Sequence, residues 1–116
     1  MKPVEWCGDS LKRIREFPAP VRHGVGLALM QAQFGGKAES AKPLHGFGGA
    51  GVLEIIERHD GDTYRAIYTV KLRNAVYVLH CFQKKSPKGS KVPLVDARLI
   101  QQRLREAEAK DREEQT

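Results

Sequence analysis

The apolar positions of this chain follow two different periods, and the change between them divides it. Lys2 to Trp6 reads as a short strand, closed by Gly8, with Asp9 or Ser10 as the N-cap of a helix. Leu11, Ile14 and Phe17 recur at helical spacing with Lys12, Arg13 and Arg15 outside, and Pro18 and Pro20 stop the helix. Val21 to Phe34 predicts a second helix, with Val25, Leu29 and Ala32 (or Ala28) facing the core and Gly35-Gly36 ending it. These two helices form an antiparallel pair. Gly35 to Gly51, rich in Gly, Lys and Ala and carrying Pro43, reads as a loop.

Beyond the loop the period falls to two. Val52 to His59, Thr63 to Leu72 and the run from Ala75 onward are predicted strands, joined by turns at Asp60-Gly61-Asp62 and Arg73-Asn74, hence antiparallel in sequence order. Pro93 opens a last helix, whose buried stripe is Leu94, Ala97, Leu99 or Ile100, and Leu104. Residues 106–116 are charged with no face to bury, which predicts frayed helix or disorder. The order β-α-α-β-β-β-α predicts an α+β fold, with a small, mainly antiparallel sheet, the helical pair on one face, and the other face open. At 116 residues there is room for one domain, read as residues 1–105 followed by the tail.

The strand after Ala75 organises the rest. Strict alternation puts Val76, Val78, His80, Phe82 and Lys84 on one face and Tyr77, Leu79, Cys81 and Gln83 on the other. Both faces are mostly apolar, which predicts a strand flanked on two sides. Its end delivers His80, Lys84 and Lys85 to an edge, followed by Lys88 and Lys91. In the preceding strand Tyr64 and Tyr68 share a core face, while Arg65 lies opposite. A buried guanidinium requires a partner, so Arg65 either pairs with Glu54 or Glu57 or lines an anion site.

Charge sharpens this picture. Formal net charge is +6, but residues 1–104 carry 17 basic against 9 acidic side chains, and Arg58 to Lys91 carry eight against two. Such a concentration predicts a polyanionic partner. Cys7 and Cys81 have no metal-ligand spacing, so no metal or other cofactor is expected. No apolar run approaches the ~18 residues of a membrane span, and no signal segment is visible, which predicts a cytoplasmic protein with free thiols. The glycines around His45 lack the strand-to-helix setting of a phosphate-cradling loop.

Gly-Asp-Thr-Tyr-Arg-Ala-Ile-Tyr (61–68), then Val-Tyr-Val-Leu-His-Cys-Phe-Gln-Lys-Lys-Ser (76–86), then a lysine-rich linker and a helix with Ala97 and Arg98, resembles the phage-derived, HigB-like branch of the RelE/ParE toxin superfamily. The resemblance implies the toxin of a type II toxin-antitoxin pair, with a helix-turn-helix antitoxin as partner. It also implies a metal-independent endoribonuclease that cleaves mRNA, commonly on the ribosome, with basic and polar side chains. The 2′-hydroxyl of RNA is a built-in nucleophile, so cleavage needs positioning, charge neutralisation and proton transfer. On this reading Arg65, Lys84 and Lys85 carry catalysis, and His80 is either a general acid or base or a satisfied core histidine. Arg58, Lys71, Lys88 and Lys91 hold RNA, and Phe82 either stacks on a base or packs in the core. The alternatives are a ParE-like toxin acting on DNA gyrase, or a basic nucleic-acid-binding module that cleaves nothing.

Overall fold

The computed structural model describes residues 1–49, 51–84 and 91–114. The elements are β1 (Val4–Trp6), α1 (Ser10–Arg15), α2 (Ala19–Gln33), β2 (Ala41–Pro43), β3 (Val52–His59), β4 (Asp62–Thr69), β5 (Val76–Lys84) and α3 (Leu94–Glu113). The five strands form one sheet in the order β1-β5-β4-β3-β2, with β1 parallel to β5 and every other pair antiparallel. Strand β5 is therefore flanked on both sides, as its two apolar faces require. The β3–β4 hairpin closes through Asp60 and Gly61, both at positive φ (49° and 81°), the geometry of a two-residue loop whose twist matches its strands.

The helical pair covers one face. Val21, Val25, Ala28, Leu29 and Ala32 of α2, with Ile14 and Phe17, pack on Ile55, Tyr64, Ala66, Tyr68, Val76 and Val78. Phe17 meets Tyr64 edge-on, with ring centroids 4.9 Å apart, so both tyrosines of β4 lie in the core as the strand period predicts. On the other face Ile100, Leu104 and Ala107 of α3 join Val52, Ile67, Tyr77, Leu79 and Phe82 in a second apolar cluster.

Four sequence expectations change. The 35–51 segment contains the edge strand β2, three residues long and too short to display a period; its Pro43 is tolerated because an edge strand leaves N–H groups unpaired. The second face is not left open, because α3 lies across it at β5. The stripe of α3 begins later than expected, since Leu94 is 66% exposed whereas Ile100 and Leu104 are buried. Finally, α3 runs through the charged segment to Glu113, with Ala107 and Asp111 buried. Asp111 accepts hydrogen bonds from the Arg73 and Asn74 backbone N–H groups (3.0 and 2.8 Å) and from the Tyr77 hydroxyl (3.2 Å), so a carboxylate rather than an apolar stripe docks the last turns.

A fifth difference controls the site. Tyr68 pairs with Val78 but Ile67 pairs with His80, so Leu79 is an extra residue, a β-bulge that reverses the parity of everything after it. Cys81 turns to the helical-pair face in place of His80, while Phe82 packs in the α3 cluster. His80 is fully buried and bonds Asp96 of α3 through Nε2 (2.6 Å) and Arg103 through Nδ1 (3.1 Å). A guanidinium only donates, so Nδ1 accepts, and the proton of the neutral ring sits on Nε2, donated to Asp96. Arg103 further donates to the Leu79 carbonyl (3.0 Å) and pairs with Asp9 (2.8 Å), which also holds Arg13 (2.9 Å). This chain of polar contacts joins α1, β5 and α3.

Burial holds the His80 pKa below its ordinary value; Asp96 opposes that shift, and Arg103 and Arg13 add to it. The folded form thus binds a proton less readily than the unfolded chain. The stability contributed by His80 is complete above the unfolded value of about 6.5 and is lost as pH falls through the folded value. Melting temperature measured by circular dichroism should decline from pH 7 to pH 5, and His80→Gln, which cannot titrate, should flatten that decline. Asp111→Ala should cost about 2–3 kcal/mol in urea denaturation, because it strands backbone donors under α3; a cost near zero would mean that the last turns do not dock.

Candidate nucleic-acid interface

The bulge and the hairpin register decide which cations share a surface. Arg58, Thr63 and Lys84 form one row across β3, β4 and β5 at the hairpin end of the sheet, on the same side as α3. Arg58 is exposed and Lys84 half-buried, its ammonium 3.4 Å from the Lys91 carbonyl. The next row inward holds Ile56, Arg65 and Phe82, and the one after that Lys42, Glu54, Ile67 and His80. Lys71 follows the opposite end of β4, ~20 Å along the strand, where its ammonium donates to the Gly49 carbonyl at 2.8 Å. The structure does not bring Lys71 into the Arg58 and Lys84 row. Lys85 and Lys88 lie outside the described residues.

Arg65 takes the ion-pair option. Its side chain is 3% exposed and its Nε donates to Glu54 Oε2 at 2.8 Å, with a second short contact from Nη2 to the same oxygen. The guanidinium carbon stands 5.5 Å from the Phe82 ring centroid, an additional cation–π contact, and Phe82 stacks on His80 at 5.2 Å. Arg65, Phe82 and His80 are thus brought together, but as a buried stack beneath the surface; all three are at most 4% exposed. Phe82 takes the core option, and both ring nitrogens of His80 are engaged. None of the three presents a polar atom to solvent as an in-line phosphate contact would need.

Above this stack the sheet and α3 diverge into a cleft of about 610 Å³. One wall is the segment after β2, with His45 and Phe47; the other is the first half of α3, with Arg98 and Gln101. Glu54 forms part of the floor, held by Arg65 below and by Lys42 at 3.7 Å. The rim carries Lys42, His45, Lys91 and Arg98 against the single carboxylate of Glu54, itself matched by two cations. The side chains of His45, Arg98 and Gln101 make no hydrogen bond or ion pair with any described residue. Of these rim residues, sequence reasoning assigns an RNA contact to Lys91, includes Arg98 only within the family motif, and sets His45 aside. Lys42 sits on a strand too short to recognise, His45 in a glycine-rich segment, and Arg98 on a helix face that only the docking of α3 defines.

Such a surface has the charge to neutralise and orient a polyanion. Lysine ammoniums act as point charges, the Arg98 fork can grip two phosphate oxygens, and the exposed imidazole of His45 can take or give a proton. Among the described residues no cluster of three potential metal ligands occurs, and no helix is long and apolar enough to cross a membrane.

The family described as phage derived protein Gp49-like (DUF891) matches residues 12–105. Among solved structures, the free state of the E. coli toxin RelE carrying two arginine-to-alanine substitutions is similar in fold, with a TM-score of 0.54 at 20% sequence identity, over 69% of this chain and 80% of that one. No curated protein sequence matches. With most of its length covered by the family match, the chain belongs to the phage-derived Gp49-like family, and its fold is similar to that of the RelE toxin.

Proposed function

We propose that the protein is the toxin of a type II toxin-antitoxin pair and acts as a metal-independent endoribonuclease on mRNA, engaged on the ribosome and restrained by a helix-turn-helix antitoxin. The observation that carries the reading is the cleft between the β2–β3 segment and α3, where Lys42, His45, Lys91 and Arg98 surround a floor whose one carboxylate is already paired. In the proposed reaction the 2′-oxygen attacks the adjacent phosphorus and the bond to the 5′-oxygen breaks. The products are a 2′,3′-cyclic phosphate and a 5′-hydroxyl end. The proton leaving the 2′-hydroxyl and the one reaching the 5′-oxygen both need a carrier, and His45 is the exposed imidazole on the rim. Lys42, Lys91 and Arg98 offset charge on the phosphorane-like transition state. Lys84 and Arg58 extend the cationic track toward the hairpin end, and Lys85 and Lys88 add to it by sequence position. Arg65 and His80 act from below, Arg65 by fixing Glu54 and His80 by fixing α3.

The test is RNA cleavage by the purified chain in EDTA, with and without ribosomes. His45→Ala should lower the rate about 100-fold with RNA affinity retained. Lys42→Ala and Arg98→Ala should each weaken binding and reduce the salt slope by about 0.7. Intact RNA under both conditions, together with loss of supercoiling in a DNA gyrase assay, would transfer the protein to the gyrase-directed alternative.

Arg65→Ala should behave differently from the rim variants. Removing it leaves the buried Glu54 with the exposed Lys42, at 3.7 Å, as an ion-pair partner, so a stability loss of about 3 kcal/mol is expected, read as a lowered denaturation midpoint. A variant that melts like the parent but no longer cleaves would return Arg65 to the chemistry.

A further inference from the structure

The cleft contains more than phosphate-binding charge. Phe47 packs on the apolar cluster beneath α3 yet keeps part of its surface in the cleft, beside Leu44, Val92 and Ala97. Facing this apolar wall is Gln101, half-exposed on α3 and without a hydrogen bond to any described residue. Pure phosphate contact explains neither feature, because a phosphate has no use for an aromatic wall, and a neutral carboxamide adds no charge. A concave site of ~300–1,000 Å³ that combines apolar and aromatic side chains with a few convergent polar groups suits a small ligand, and this one measures about 610 Å³ with one apolar wall.

We infer that the cleft is a nucleobase subsite that takes one unstacked purine of single-stranded RNA, with Phe47 as its apolar wall and Gln101 as its specificity-determining residue. This rests on the reading of the rim as the RNA site. Sequence-selective RNA recognition works on splayed bases packed against aromatic side chains and bonded along their edges. A carboxamide offers one donor and one acceptor side by side, which matches the N7 acceptor and N6 amino donor of adenine; guanine presents two acceptors there, and pyrimidines have no N7. Adenine is therefore the favoured base. The cations of the rim then hold the flanking phosphates, so that base choice and backbone grip come from different residues of one cleft.

The experiment uses the full chain and 5′-AMP, 5′-GMP, 5′-CMP and 5′-UMP as probes, followed by amide NMR, which requires no turnover. AMP should give saturable shifts at residues 44–47 and 97–101, including the Gln101 side-chain amide, with affinity about 10-fold above UMP. Gln101→Ala, a surface change that leaves Phe47 and the fold in place, should erase the adenine preference, bringing AMP down to the affinity of UMP. Across transcripts, its cleavage sites should lose their base bias at one position. Equal shifts from all four nucleotides, shifts outside the cleft, or an unchanged adenine preference in Gln101→Ala would each overturn the subsite. Failure of the nuclease reading is separable: AMP would then bind as described while no RNA is cut.

Discussion

The bulge at Leu79 is the constraint on which the rest depends. One additional residue in β5 turns His80 away from the helical pair and toward α3, where Asp96 and Arg103 receive it. Without the parity change, Cys81 would lie toward α3 and the imidazole would be buried among the apolar side chains of α1 and α2, with no partner of suitable charge. The same shift aligns Phe82 with Arg65, so the guanidinium that fixes Glu54 gains an aromatic neighbour. Two buried polar assemblies thus issue from one irregularity, one anchoring α3 and one forming the cleft floor.

A division of labour follows between buried and exposed cations. Arg65 and Arg103 have their donors directed at Glu54, Asp9, His80 and a backbone carbonyl; their charge is consumed in holding elements together. Lys42, Lys91 and Arg98 stay at the surface with their charge available, apart from the weak tie of Lys42 to Glu54, and His45 is exposed beside them. Buried pairs of this type contribute little net stability compared with an apolar replacement, but they admit one arrangement, and a cleft of defined shape needs that.

Much of the architecture was legible in the sequence. The helical stripe of α2, the hairpin at Asp60-Gly61 and the flanked position of β5 follow from periods and turn residues that report local backbone directly. The bulge was not legible, because residues 75–82 are apolar on both faces and an alternation without polar markers has no visible phase. The docking of Asp111 was hidden for the opposite reason: a carboxylate in a charged segment looks solvated until the backbone donors of residues 73 and 74 are found beneath it. At the candidate site, the motif around 61–68 and 76–86 reaches the cleft through Arg65, which bonds Glu54 in its floor. The most regular part of that motif proved to be its interior, while the exposed groups come from a three-residue strand, an irregular segment and a helix surface, none of which carries a periodic signal.

The parallel pairing of β1 with β5 also has a temporal side. Val4 lies beside Val76, and the Asp9 carboxylate meets Arg103, 94 residues later in the chain. Contacts between such distant partners require large loops to close before any stabilisation is returned, which slows folding. During synthesis, β1 must wait for β5 to emerge, and α3 cannot dock until all five strands and α3 itself have left the exit tunnel. The cleft is consequently absent from a nascent chain until α3, the last of its walls in chain order, has emerged and docked.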